Sequence, residues 1–363
     1  AVAPGVSRGV LHRRVAGAGT QFGAAPFIRH ADDHWSVAPG TSLSGGGAFS
    51  IYQFDFASPT AGWAVGALYD VVPSRPVAWR WDGSGWYDAP VPPVRVLSGC
   101  VRALPDGRAW SLDPGGRLVA FDGRNWVPMD GAPPLEVSDA DGAFLRAPFD
   151  VAEGSDGSSV GWAASGGQMM YAWVGDRWAA RQPIPRGVVQ DLQLVDAAHG
   201  WAIGRDRNAV AVNRMVGVLL ALVDRRWVEV DLTAAARRLA ATGDLGERFD
   251  YRWIEWRLMA PVSAGEVWLA GTVSLSRIEP FLVAVRVTGP GPDGTTIDAI
   301  RNCPAHALSA AQVAGGTDVW LLGTSACGST TAALRASFTG PVSRLRTRDV
   351  ASTVFLPSAS RGG

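Results

Sequence analysis

What the chain lacks narrows it first. It contains no lysine, so all 33 basic residues are arginine, and they are scattered rather than clustered, the pattern of coding bias. Thirty-three acidic residues balance them, leaving zero net charge and a pI near 7.2. That balance removes the electrostatic case for nucleic acid or an anionic membrane as partner. Charged residues are only 18% against 47% hydrophobic, the proportions of a packed chain and not of a disordered one. Long apolar runs are missing: the longest, Met215 to Val223, is far too short to span a bilayer. Helical periodicity is scarce because glycines interrupt nearly every segment. There is no P-loop, dinucleotide fingerprint, Gly-x-Ser-x-Gly or His-Glu-x-x-His, so no cofactor is expected.

What is abundant is glycine (44), proline (24) and tryptophan (16). Glycine and proline at this level suit many short strands joined by tight turns. The tryptophans recur in two contexts. The first is Gly-Trp-Ala-apolar-Gly, as Gly62-Trp63-Ala64-Val65-Gly66 and Gly200-Trp201-Ala202-Ile203-Gly204, with looser copies at Trp110, Trp162, Trp268 and Trp320. The second is an Asp-Gly turn with a tryptophan soon after, as Asp82-Gly83-Ser84-Gly85-Trp86 and Asp122-Gly123-Arg124-Asn125-Trp126, with degenerate copies ending at Trp35, Trp178 and Trp227. The contexts alternate, and one unit spans roughly 40–65 residues, the scale of a four-stranded propeller blade.

Within a unit the strands are readable. Tyr52, Phe54 and Phe56 alternate with Gln53 and Asp55, a period of two. Gly62–Leu68, Val77–Trp81 and Trp86–Val91 supply three further strands, the last two joined by the Asp82-Gly83 turn. Units fall near 48–93, 94–134, 136–185, 186–232, 246–301 and 303–350, after a partial copy in 1–45. The chain end offers a spare strand, Ser352 to Leu356. The expected fold is therefore all-β: one β-propeller over 1–363, of four-stranded antiparallel blades. Seven blades are expected, with six or eight open. The ring would be closed by strands from both termini (1–45 with 351–357), with a short helical insertion at 233–243.

On these motifs the chain resembles the Asp-box (BNR-like) β-propellers, particularly the photosystem II assembly-factor-like group, whose repeat pairs a Gly-Trp-Ala-Val-Gly strand with an Asp-Gly turn before a tryptophan. It departs from that pattern in two ways. Trp86 and Trp126 follow their aspartates by one residue fewer, and Arg80 and Ala120 stand where a serine or threonine is usual. The resemblance implies a fold that hosts assembly factors, secreted binding proteins, sialidases and other carbohydrate-active enzymes. The expected function is a non-enzymatic, extracytoplasmic module binding a protein partner or a glycan. A sialidase-like carbohydrate-active enzyme and a structural subunit of an extracellular assembly are the alternatives.

The densest mixture of aromatic and charged residues is Arg248–Arg257. Within it Tyr251, Arg252, Trp253, Glu255 and Arg257 are the candidate ligand-binding residues. A sialidase-like reaction needs a tyrosine nucleophile, a glutamate partner and an arginine triad, and Tyr251 with Glu255 is the one pair set among arginines. No metal site is expected: in Arg29-His30-Ala31-Asp32-Asp33-His34 nothing makes the ligands converge, and Asp139-Ala140-Asp141-Gly142 lacks the later carboxylates of a calcium loop. Cys303 and Cys327 flank strands of the last unit and are expected to form a disulfide, with Cys100 a buried free thiol. That bond, and an Ala1-Val2-Ala3 start compatible with a processed end, point to an extracellular or periplasmic location with no transmembrane segment.

Overall fold

The computed structural model describes residues 13–15, 21–23, 27–29, 35–37, 49–58, 60–68, 75–93, 101–113, 115–135, 148–154, 156–165, 169–174, 176–206, 217–231, 254–273, 281–289, 296–301, 305–313, 316–324, 331–338 and 352–355. Two short hairpins come first: β1 (Arg13–Val15) with β2 (Gln21–Gly23), and β3 (Phe27–Arg29) with β4 (Trp35–Val37). Six four-stranded antiparallel sheets follow, each a meander in chain order. The first holds β5 (Phe49–Ser58), β6 (Ala61–Leu68), β7 (Arg75–Trp81) and β8 (Trp86–Ala89). The second holds β9 (Val101–Ala103), β10 (Ala109–Leu112), β11 (Leu118–Phe121) and β12 (Trp126–Pro128). The third holds β13 (Phe149–Glu153), β14 (Ser159–Ser165), β15 (Met169–Val174) and β16 (Arg177–Pro183), and the fourth β17 (Val188–Leu194), β18 (Gly200–Arg205), β19 (Gly217–Val223) and β20 (Arg226–Glu229). The fifth holds β21 (Ile254–Ser263), β22 (Glu266–Val273), β23 (Phe281–Thr288) and β24 (Thr296–Arg301). The sixth holds β25 (Ala305–Val313), β26 (Gly316–Thr324), β27 (Thr331–Phe338) and β28 (Ser352–Phe355).

Each four-stranded sheet falls on one repeat of the sequence, but the expected blade count and ring closure are corrected. The strand at Ser352–Phe355 pairs with β27 and completes the sixth sheet, so it is not spare. The N-terminal strands pair only with each other, as two separate hairpins, and no seventh four-stranded sheet exists among the described residues. The chain divides into two compact units, Ala1–Asn208 with Val218–Glu229, and Ala209–Gly217 with Val230–Gly363. The first contains the first four sheets and the second the last two, so six four-stranded sheets, and not the expected seven, are formed among the described residues. The helical insertion expected at 233–243 lies outside the described residues.

In the first compact unit the tryptophan repeat is the mortar between sheets. Trp63, Trp110, Trp162 and Trp201, all on second strands, are buried, Trp63 and Trp201 completely. Trp63 meets Phe121 and Trp126 of the next sheet at 4.9 and 5.4 Å between ring centroids. Trp110 meets Trp173 and Trp178 of the third sheet, each at 5.6 Å, and Trp162 meets Trp227 of the fourth at 5.9 Å. All five contacts are edge-to-face, the geometry that the ring quadrupole favours, worth about 0.5–1.5 kcal/mol each beyond the area buried. The two tryptophan contexts thus alternate because a Gly-Trp ring of one sheet packs on the turn tryptophan of the next.

Both glycines of the motif are required by close approach. A Cβ on Gly161 would overlap the Trp110 ring of the preceding sheet and come within 3.0 Å of Trp178. The second glycine faces a β-bulge in the first strand. In β5, β17, β21 and β25 the register slips by one residue, at Tyr52, Gln190, Arg257 and His306 respectively. In each case the residue just before the bulge lies opposite the glycine three places after the tryptophan: Gly66, Gly204, Gly271 or Gly323. At Gly204 a Cβ would strike the Val188 carbonyl oxygen, so the bulge presses backbone onto backbone.

Replacing Gly161 or Gly204 by alanine is expected to destabilise the protein by roughly 1–3 kcal/mol, as overpacking does elsewhere. Gly265, where an added methyl would meet nothing within 4 Å, should tolerate alanine without loss. Urea unfolding midpoints of the three variants test this; equal midpoints would show that the close approaches are not structural constraints.

Candidate functional site

The antiparallel register fixes which side chains accompany each tryptophan. Residues directly opposite one another point to the same face. The first-strand residue facing Trp63 is Asp55, that facing Trp110 is Arg102, and that facing Trp162 is Asp150. Gln193 faces Trp201, two residues after Asp191. The row of charge therefore shares the tryptophans' face and is aimed at the neighbouring sheet.

Every member of this row is engaged across a sheet boundary or beside one. Ala103 N donates to Asp55 Oδ2 at 2.8 Å, joining the first sheet to the second. Arg102 Nε lies 3.0 Å from Asp150 Oδ1, and Arg102 Nη2 lies 3.6 Å from Asp191 Oδ1, joining the second sheet to the third and fourth. The Nε contact is an ion pair without hydrogen-bond alignment. Leu194 N donates to Asp150 Oδ2 at 2.7 Å, and Gln193 Nε2 donates to Asp191 Oδ2 at 3.2 Å. The guanidinium also sits 5.8 Å from the Phe149 ring centroid. Asp150 is sealed, its side chain 2% exposed, whereas Asp191 keeps 12%. Both carboxylates are buried, and of the two held by this arginine Asp191 is the less enclosed.

A second set of aspartates organises the hairpin turns. Asp82 Oδ1 accepts from the amide and hydroxyl of Ser84, both at 2.8 Å, and from Gly85 N at 3.2 Å. Asp122 Oδ1 accepts from Arg124 N and Asn125 N, both at 2.8 Å, and Asp156 Oδ1 from the Ser158 amide at 2.9 Å and hydroxyl at 2.6 Å. These bonds favour the ionised form. They hold all three carboxyls below the ordinary aspartate range, led by the Ser84 amide at Asp82, the Asn125 amide at Asp122 and the Ser158 hydroxyl at Asp156.

The structure places the sequence-derived candidates unevenly. Tyr251, Arg252 and Trp253 lie outside the described residues. Glu255 and Arg257 are on β21, the first strand of the fifth sheet; Glu255 pairs with Thr272 and Arg257 occupies the bulge. Cys100, Cys303 and Cys327 lie outside the described residues, as do His30–His34 and Asp139–Gly142. No disulfide is found among the described residues, against the expected Cys303–Cys327 bond, and they contain no cysteine. Among the described residues, no three metal-binding side chains cluster, and no helix is long and apolar enough to cross a membrane. Sequence reading missed Arg102, Asp150 and Asp191. Spacing could have found only the first of them: Arg102, like Asp55 and Gln193, stands eight residues before its tryptophan, whereas Asp150 stands twelve before Trp162.

No protein-family model and no curated protein matches the chain. Among solved structures, the GH74 xyloglucanase from Xanthomonas campestris is similar over 92% of this chain, at a TM-score of 0.54 and 14% identity. This chain spans about half, 51%, of that structure's length. The GH93 α-L-arabinofuranosidase of Fusarium graminearum is matched at TM-scores of 0.34, with 13% identity over 66% of this chain and 77% of that one, and 0.36, with 10% identity over 79% and 77%. Those two likenesses are too loose to bear on the fold. The first establishes a β-propeller fold, without extending to the Asp-box group in particular. That matched structure is an enzyme, a glycoside hydrolase, which runs against the expected non-enzymatic binding or assembly module.

Two outcomes follow from the geometry. Arg102→Met leaves Asp150 and Asp191 facing each other without a cation, and is expected to cost roughly 3–5 kcal/mol in chemical denaturation. Adding Asp150→Asn should regain part of that loss, since its amide oxygen still accepts from Leu194 while one stranded charge is gone. For the turn aspartates the folded pKa lies below the unfolded 3.8, so their contribution is complete above that value and is lost as pH falls through the folded one. Unfolding midpoints measured from pH 6 downward should therefore drop at the acid end, and the D82N/D122N/D156N variant should drop less steeply.

Proposed function

We propose that the chain is a carbohydrate-active β-propeller enzyme that cleaves glycosidic bonds in a polysaccharide. The observation that carries this reading is the propeller likeness to a xyloglucanase over 92% of the chain. Glycoside hydrolysis needs carboxyl groups beside the scissile bond, one giving a proton to the leaving oxygen and one activating water or attacking the sugar. Asp191 is the carboxylate of the first-strand row that suits the second task. It is positioned by Arg102 and Gln193 and is the less enclosed of the two carboxylates that Arg102 holds. Asp150, closed off and bonded on both oxygens, acts as a positioning residue through Arg102. A polysaccharide is met outside the cytoplasm, so export belongs to the same proposal.

The test is release of reducing ends from a panel of neutral and acidic polysaccharides, xyloglucan included. The unaltered protein should cleave at least one of them. Asp191→Asn should lower kcat by roughly 100-fold or more with the unfolding midpoint kept, in line with loss of an acid–base group. Absence of cleavage across the panel overturns the proposal, and full activity in Asp191→Asn overturns the assignment of that residue.

A further inference from the structure

In each sheet of the first compact unit, the residue just after the turn tryptophan lies directly opposite a residue of the third strand. In the second, third and fourth sheets this pair is Val127 with Ala120, Ala179 with Ala172 and Val228 with Ala221. In the first sheet it is Tyr87 with Arg80. Small apolar residues therefore suffice for stacking sheets, and the first sheet departs from them on both strands at one place. In the second unit the third-strand residue facing the tryptophan is again arginine, Arg286 in the fifth sheet and Arg335 in the sixth. Each of those has an acidic residue two places before its tryptophan, Glu266 or Asp318, and Arg286 is clamped to Glu266. Arg80 faces Trp63 with Ala61 at that place, and it makes no ion pair or hydrogen bond among the described residues.

Both side chains are held in place. Ser84 gives its hydroxyl proton to Asp82 Oδ1 at 2.8 Å, so the Tyr87 hydroxyl, 3.2 Å away, is the donor to Ser84 Oγ. That bond anchors the phenol while the residue stays 53% exposed. The Arg80 guanidinium lies against Gly107 of the second sheet, where an added Cβ would overlap it, and the Gly107 carbonyl accepts from Trp63 Nε1 at 3.0 Å. The matching turn glycine of the third sheet, Gly157, is open: a Cβ there meets only Glu153, at 3.9 Å. We propose that Arg80 and Tyr87 bind one sugar unit of a polysaccharide, on a different sheet from Asp191. The C–H face of a pyranose lies on the electron-rich face of a phenol, and the planar guanidinium offers parallel N–H donors to two adjacent hydroxyls. An exposed cation alone holds an anion weakly in water, so the ring carries part of the binding. A protein interface needs a broad apolar centre, whereas this pair is flanked by exposed Asp82, Asp88, Asp106 and Arg108. The class of ligand rests on the polysaccharide reading; the position rests on the comparison of repeats and does not involve Asp191.

Binding of the full chain to xyloglucan, mannan and xylan is measured by affinity electrophoresis, with dextran sulfate as a polyanion for comparison. At least one neutral polymer should retard the chain, and Tyr87→Ala should weaken that binding about tenfold or more. Tyr87→Phe keeps the ring and should retain most of it. Arg80→Ala should weaken it about fivefold, and Arg80→Lys, charged but without the fork, by an intermediate amount. Val127→Ala, at the same place in the second sheet, should leave it intact. On the unaltered protein, nitration of Tyr87 followed by mass spectrometry should slow when the bound polymer is added and not with dextran sulfate, a reading independent of any variant's folding. Full binding by Tyr87→Ala, an equal loss in Val127→Ala, or dextran sulfate binding as tightly as the neutral polymer overturns the proposal. Absence of binding to every neutral polymer overturns it as well and returns the pair to a protein interface. Tyr87-dependent binding with no cleavage of any polymer would leave this position standing and remove the enzyme reading. Cleavage with full binding by Tyr87→Ala would do the reverse.

Discussion

The edge-to-face contact between the Gly-Trp ring of one sheet and the turn tryptophan of the next is the interaction on which the first compact unit depends. A four-stranded meander of this size buries little by itself; its second strand is covered only when another sheet lies against it. An indole is large and flat enough to fill that gap, and its quadrupole sets the approach as edge on face at 5.4 Å for Trp63–Trp126 and 5.6 Å for Trp110–Trp178. The cost is room. Gly161 is bare because the Trp110 ring occupies the space its side chain would need. Ring and glycine make one device across two sheets there, whereas Gly62 and Gly200 are kept bare by their own first strands, through Phe56 and Leu194.

That device dictates the rest of the first-strand chemistry. A residue opposite a buried tryptophan is turned to the same boundary, and a charge there is costly unless paired. Asp55, Arg102 and Asp150 meet the condition by reaching across, to the Ala103 amide, to Asp150 and to the Leu194 amide in turn. Their directionality adds what the tryptophans do not supply. Apolar packing tolerates sliding by a residue, whereas a carboxylate bonded to one particular amide fixes the register between neighbouring sheets.

The repeats were legible because their signals are local. Gly-Trp-Ala-apolar-Gly sets a second strand, and Asp-Gly before tryptophan sets the hairpin, whose geometry the Asp82 and Asp122 oxygens fix within three residues of sequence. The first repeat's strands, read as beginning at Phe49, Gly62, Val77 and Trp86, lie within two residues of those formed. What could not be read was anything decided between repeats. Sequence order sets Trp63 beside Trp86, yet its partner is Trp126, in the next sheet. Closure by the two termini rests on an incomplete first copy and a spare last strand. The sixth sheet needs that strand itself, pairing Ala332–Arg335 with Ser352–Phe355. Asp150 breaks even the eight-residue spacing that Arg102 keeps, because the significance of both comes from a ladder partner and a neighbouring sheet.

The contrast between the two compact units shows where the repeat is free to change. The position facing the tryptophan is Asp55, Arg102, Asp150 and Gln193 in the first unit, but Ala260 and Ser309 in the second. The fifth sheet anchors its tryptophan differently: Trp268 Nε1 donates to Glu266 Oε1 at 3.1 Å, and Arg286 clamps the same carboxylate through two contacts of 2.9 Å. The charge has moved from the first strand to the second and third, and the tryptophan has stayed. The bulge has stayed as well, with its facing glycine at Gly271 and Gly323, while the residue it displaces changes from Tyr52 and Gln190 to Arg257 and His306. Packing therefore constrains the ring and the glycine, and it leaves the facing position and the bulge position open to other demands.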